Sequence, residues 1–216
     1  MKRITALTLI LIAAFTVCLP AQEEAEETLY EVVPGTEGNK IILSLSNISE
    51  ITGAENVRVN LAGEYPYLSF DKESLVFEKI DPANEAEAAF TFDIARETPV
   101  NRKDTVRFTV TGKQGISEIK QFVISYAVPD EFKLEQNFPN PFNPATTIQY
   151  QLPVESRVML KVYDILGREV VTLVNERQEA GYKEIKFNGS RFSSGVYIYR
   201  LVTDNYISTK KMLMVK

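Results

Sequence analysis

Histidine and tryptophan are absent from this 216-residue chain, and its single cysteine, Cys18, lies in an amino-terminal stretch that reads as a removable leader. Without His or Cys, residues 22–216 cannot build a Ser-His-Asp triad, a Cys nucleophile or a zinc site of the usual nitrogen and sulfur ligands. Disulfides are excluded as well, so each domain must be stabilised by its own apolar core. Long apolar runs are also missing. Lys2 and Arg3 precede the apolar stretch Ile4–Val17 and the segment Leu19-Pro20-Ala21-Gln22, which has the three regions of a secretory signal peptide. The expected leader is 1–21, with cleavage after Ala21. The stretch is too short for a comfortable membrane span and no later stop-transfer run follows, so no transmembrane segment is expected after cleavage. Bulky Val17 before Cys18 argues against lipoprotein processing.

Charge divides between the halves. Residues 22–131 carry 10 Lys+Arg against 21 Asp+Glu, net −11, whereas residues 132–216 carry 12 against 8, net +4. Phosphate contacts need clustered cations, so the acidic front half argues against a nucleic-acid partner. The acidic excess reads as a soluble secreted surface. The remaining 195 residues suit two domains of about 100 residues, each large enough for a core.

Beyond the acidic lead Glu23–Glu27, strand follows strand. Candidates are Leu29–Val33, Lys40–Ser46, Asn56–Leu61, Tyr67–Phe70, Ser74–Phe77, Ala88–Ile94, Thr105–Thr111 and Glu118–Tyr126. Alternation is clearest in Val57-Arg-Val-Asn-Leu61 and Val106-Arg-Phe-Thr-Val110, as half-buried strands require. Glycines and prolines fall between the runs, and no segment after the leader keeps a 3.6-residue apolar period. The fold class is therefore all-β: two immunoglobulin-like β-sandwich domains in tandem after a signal peptide. Expected boundaries are 22–128 for the first sandwich, 129–145 for a Pro/Asn-rich linker and lead-in, and 146–216 for the second.

Asn137-Phe-Pro-Asn-Pro-Phe-Asn-Pro144 opens the second half. Its prolines lock φ and withhold backbone donors, so turns and extended chain are expected and a central strand is excluded. Phe138 and Phe142 are too apolar for a solvated linker and are expected to pin the segment onto the core. Strands then read at Thr147–Leu152, Val158–Asp164, Glu169–Val174, Lys183–Phe187, Gly195–Val202 and Tyr206–Val215. Asp164-Ile-Leu-Gly167 reads as a turn in which Gly167 takes positive φ and Asp164 bonds the backbone. Asp204-Asn205 is short enough for a two-residue hairpin.

In order and spacing, these residues are distinctive as a set: Asn137, Phe138, Pro139, Asn140, Pro141, Phe142, Asn143 and Pro144; Tyr163, Asp164, Gly167 and Arg168; Gly181; Ser194, Gly195, Val196 and Tyr197; then Lys210 and Lys211. Over Phe132–Lys216 the chain resembles the type A C-terminal sorting domain of the type IX (Por) secretion system, which is similar to the immunoglobulin-like part of the flagellar hook-capping protein. Phe187 stands where that family often has Trp. The resemblance implies a folded domain recognised in the periplasm by the outer-membrane type IX translocon, then removed or coupled to surface lipopolysaccharide. A route for recognition is an exposed final strand, Met212–Val215, offering unpaired backbone groups to a partner's sheet. Each motif residue taken singly is also explained by turn chemistry and core filling.

The function expected is that of a secreted, surface-displayed, non-enzymatic protein, with the first sandwich a binding or structural module for a glycan or protein ligand. No cofactor, metal or catalytic residue is assigned. Its rival is a small Asp/Glu-dependent extracellular hydrolase, for which Asp71 and Glu73, or Asp81 and Glu85, are the candidate carboxylate pairs. Asp104-Thr105-Val106 matches a short O-glycosylation pattern of the phylum that commonly owns this secretion system, with Thr105 as the acceptor, but three-residue patterns arise by chance very often and the plain strand reading is favoured.

Overall fold

The computed structural model describes residues 10–14 and 29–216. Apart from Ile10–Ala14, the expected leader and the cleavage point after Ala21 lie outside the described residues. Contacts divide the chain into two units: one runs to Ala95 and resumes over Asn101–Ala127, and the other comprises Arg96–Val100 and Val128–Lys216.

In the first unit the strands are β1 (Ile10–Ala14), β2 (Leu29–Val32), β3 (Asn39–Ser46), β4 (Ala54–Ala62), β5 (Leu68–Phe70), β6 (Ser74–Ile80), β7 (Glu85–Ile94), β8 (Lys103–Thr111) and β9 (Ser117–Tyr126). They form two sheets, in the orders β1-β3-β7-β5 and β2-β9-β8-β4-β6. Period-two alternation sends Ile41, Leu43 and Leu45 of β3 and Phe90 and Phe92 of β7 inward from one sheet. Val57, Val59, Val106, Phe108 and Val110 come from the other, and the rings of Phe90 and Phe108 lie 4.7 Å apart across the core. Sequence expectations shift at several strands: β6 runs on to Ile80 and β7 begins at Glu85, each three residues beyond its expected bound. β4 begins at Ala54, two residues early, and its register with β6 holds across Asn56 (φ 47°), from Glu55↔Lys79 to Val57↔Phe77. The leader's apolar stretch also contributes a strand, since β1 runs parallel to β3 from Ile10↔Ile42 to Ala14↔Ser46.

The second unit contains β10 (Lys133–Leu134), β11 (Ala145–Leu152), β12 (Ser156–Tyr163), β13 (Glu169–Gln178), β14 (Gly181–Asn188), β15 (Gly195–Val202) and β16 (Ile207–Met214). One sheet has the order β10-β11-β14 and the other β13-β12-β15-β16. Ile148, Tyr150, Leu152 and Phe187 face Val158, Leu160, Val162, Tyr199, Leu201, Met212 and Met214 in a single buried cluster. β13 outruns the expected Glu169–Val174 by four residues. Asn175–Gln178 is polar, but it keeps its ladder partners Met159–Ser156, and the paired backbone overrides weak strand propensity. Thr203 donates its N–H to the Tyr206 carbonyl at 2.8 Å, closing the tight turn over Asp204-Asn205.

Candidate functional site

The Asn/Pro-rich lead-in is a strap laced onto the end of the chain. Asn137 is buried, and its N–H donates to Tyr199 Oη at 2.8 Å while that hydroxyl donates to the Glu135 carbonyl at 2.8 Å. The Asn137 side chain donates from Nδ2 to Thr146 Oγ1 at 2.9 Å and to the Pro139 carbonyl at 3.1 Å, and Thr146 Oγ1 donates to the same carbonyl at 2.8 Å. A tract with few backbone donors thus takes part of its anchorage from side chains. The peptide bonds preceding Pro139, Pro141 and Pro144 are cis. Pro139, Asn140, Pro141, Asn143 and Pro144 are exposed, and the Pro144 carbonyl accepts from Gly189 N–H at 2.8 Å.

The two phenylalanines part company. Phe142 is 1% exposed and meets Phe187 edge-on at 5.8 Å, as the sequence suggests. Phe138 is 80% exposed, contrary to expectation. The cause is local geometry: Phe138 exchanges both backbone hydrogen bonds with Thr147 (3.0 and 2.9 Å), so extended chain that buries the Asn137 side chain turns the next residue outward.

The strap also corrects the expectation of an open final strand. Leu213 N–H donates to Asn140 Oδ1 at 2.9 Å, and the Leu213 carbonyl accepts from Phe142 N–H at 2.9 Å. Val215 N–H donates to the Phe142 carbonyl at 3.0 Å, and the Lys211 carbonyl accepts from Gln136 Nε2 at 2.7 Å. The outer edge of β16 is therefore occupied from Lys211 to Val215, and backbone pairing with a partner there requires the strap to leave first.

A second group of motif residues gathers elsewhere. Tyr163 ends β12, and Asp164 clamps the turn that follows by accepting from Leu166 N–H (2.9 Å), Arg168 N–H (3.0 Å) and Arg168 Nε (2.7 Å). Backbone bonds Asp164 N–H to Arg168 O and Gly167 N–H to Asp164 O, both 3.0 Å, complete it, with Gly167 at φ 78°. Partial desolvation raises the Asp164 pKa, but the bonds from Arg168 and Leu166 outweigh it and hold the carboxyl below its ordinary value. Register then aligns Tyr163↔Ile198↔Lys211 and Val196↔Leu213 across β12, β15 and β16. Ser194 is exposed just ahead of β15, whereas Tyr197 points inward and donates to the Ser193 carbonyl at 2.7 Å. Lys211 is exposed and Lys210 half-buried. Gly181, at φ 137°, opens β14 away from both groups.

Tyr199, Thr146, Gln136 and Gly189 were missed as lacing residues. Tyr199 carried a signal, since a tyrosine at an inward strand position needs a partner for its hydroxyl. Burial, only partly opposed by the Asn137 bond, pushes that hydroxyl up to about 12. Gly189 carried none: only the fold shows that a Cβ there meets Met214 Sδ at 2.7 Å and Phe142 Cε2 at 3.2 Å.

Asp71 accepts from Thr91 N–H at 2.9 Å, Asp81 pairs with Lys79 at 2.5 Å, and Glu85 accepts from Ser46 Oγ at 2.9 Å. No cluster of three or more His, Cys, Asp or Glu able to hold a metal occurs among the described residues. Asp104 binds Arg102 at 2.5 Å and accepts from Tyr126 Oη at 2.7 Å, and its neighbour Thr105 pairs with Val123.

The lead-in thus locks β16 of a sandwich that has its own core. Residues 136–216 match the Por secretion tail family, described as the secretion system C-terminal sorting domain. A segment of this family marks a protein for type IX export through the periplasm to the cell surface or the medium. No curated protein matches the chain. Among solved structures, dimeric latent PorU from Porphyromonas gingivalis is 19% identical with TM-score 0.33, covering 89% of this chain and 19% of its own. This chain thus spans about a fifth of that PorU chain. The calcium binding domain CBD12 of CALX1.1 is 12% identical (TM-score 0.34; 81% and 76% covered), and domains 3 and 4 of rat CD4 are 13% identical (TM-score 0.25; 96% and 99% covered).

Proposed function

We propose that the chain is a surface-displayed, non-enzymatic protein in which residues 22–128 form a binding or structural module and residues 146–216, with the lead-in 129–145, form the export tag read by the outer-membrane translocon. The observation that carries this reading is the family match over residues 136–216, together with a core confined to that unit. The motif residues act in two groups. Within Asn137–Pro144, Asn140 and Phe142 lock the last strand and the others hold the strap in place. Tyr163, Asp164, Gly167, Arg168, Val196 and Lys211 shape one end of the outer sheet face, while Gly195 and Tyr197 seat β15 and Ser194 and Lys210 flank it. Surface lipopolysaccharide and a glycan or protein ligand are the further partners in this reading, and no cofactor takes part.

The direct test places Phe132–Lys216 behind residues 1–21 and an inert reporter in a type IX-competent host. Reporter on the surface or in the medium supports the reading, and reporter confined to the periplasm overturns it. Glycan and protein arrays probed with residues 22–131 then address the first sandwich.

A further inference from the structure

Large apolar side chains left in water on a stable domain call for a reason when they cluster and are held in place. Ile165 and Leu166 are 72% and 73% exposed, side by side at the tip of the β12–β13 turn. They are not on a loose loop, since Asp164 fixes the turn from within through three hydrogen bonds. Strand register sets Val196 and Leu213, both exposed, on the same end of the sheet, beside the row Tyr163↔Ile198↔Lys211. These side chains point away from the core because their neighbours Tyr197, Met212 and Met214 point into it.

The charge left unpaired around this face is positive. Arg168 spends itself on Asp164, and Lys161 on Glu169 at 2.8 Å. Arg200, exposed and 5.5 Å from the Tyr163 ring centroid, and exposed Lys211 have no ion pair among the described residues. The carboxylates of the region are thus already satisfied, and two cations remain for a partner.

We propose that this end of the outer face, with Ile165, Leu166, Val196 and Leu213 ringed by Arg200 and Lys211, is a docking surface for a protein whose complementary groove is apolar with a carboxylate rim. A protein groove fits better than a lipid surface because the turn is rigid. Fixing two apolar anchors in advance lowers the ordering cost of fitting a shaped pocket, an advantage that a fluid bilayer does not use. The surface is distinct from the strap-covered edge of β16, so docking needs no rearrangement of the fold. The inference rests on the export reading, in which the partner is a component of the translocon.

The test uses the full chain in a type IX-competent host. The double variant Ile165→Ser, Leu166→Ser leaves the Asp164 clamp intact, Lys211→Glu reverses one cation, and Lys186→Glu on β14 of the other sheet is the control. Loss of about tenfold or more of surface export for the first two, with the control exporting normally and all urea midpoints unchanged, is the expected result. Equal export of all variants would overturn the docking surface alone. Retention of the unaltered chain in the periplasm would overturn the export reading instead. In a second arm, purified full chain is mixed with phosphatidylcholine vesicles containing phosphatidylglycerol. Binding that the serine variant abolishes would assign the face to an anionic membrane and overturn the protein partner, whereas no binding supports it.

Discussion

Tyr199→Phe isolates the lacing of the strap from the packing of the core. The ring remains, so no cavity opens, and only the hydroxyl between strap and β15 is lost. Asn137 N–H, on a residue 2% exposed, then has no acceptor at its 2.8 Å position. An unsatisfied buried donor costs about 1–3 kcal/mol. The Glu135 carbonyl, on a half-buried residue, loses its donor as well, but water reaches it, which adds about 0.5–1 kcal/mol. Together these come to about 1.5–4 kcal/mol for the second unit, centred near 2–3, a fall of roughly 10–20 °C in Tm for a domain of this size. Urea unfolding of the full chain measures the loss. Hydrogen exchange of the Asn137 amide localises it, with protection falling by two to three kcal/mol's worth, about 30- to 150-fold. A change under about 0.5 kcal/mol, or an Asn137 amide as protected as before, would show that the hydroxyl does not hold the strap.

Gly189→Ala drives a Cβ against Met214 and Phe142, both 1% exposed, and calorimetry is expected to show a loss of about 1–3 kcal/mol in the second unit. Burial pushes the Tyr150 and Tyr199 hydroxyls up to about 12 from 10.0, so the folded chain holds these protons longer than the unfolded one. Stability is then full below pH 10.0 and falls as pH rises toward 12, which alkaline urea melts and the ultraviolet tyrosinate titration both follow. Asp164 titrates in the opposite sense: its lowered pKa gives a contribution present above the ordinary value of 3.8 that is lost as acid protonates it. Faster exchange of the Leu166 and Arg168 amides at low pH, absent in Asp164→Asn, checks this. A chain beginning at Gln22 lacks β1, which leaves the β3 edge uncovered among the described residues and uncharged from Ile41 to Ile48. Sedimentation velocity is expected to show self-association that Ile42→Lys reduces.

Alternation in Val57–Leu61, Val106–Val110 and Val158–Val162 decided the all-β class before any coordinates, because a period of two admits only a half-buried strand. Asp164 and Gly167 likewise announced their turn, since positive φ and a short carboxylate acting on nearby amides are local properties. The likeness of residues 136–216 to a sorting family was legible in the order of its motifs, and the family match covers those residues. The partnership of Asn140 and Phe142 with Leu213, across more than seventy residues of chain, was not. Nor was the outward turn of Phe138, the fit of Gly189 against Met214, or the alignment of Ile165 and Leu166 with Val196 and Leu213. Each depends on which strands lie side by side and in what register. Composition and local backbone preference decide that a strand forms and which face is apolar, but strand neighbours are selected by the packing of the whole sandwich.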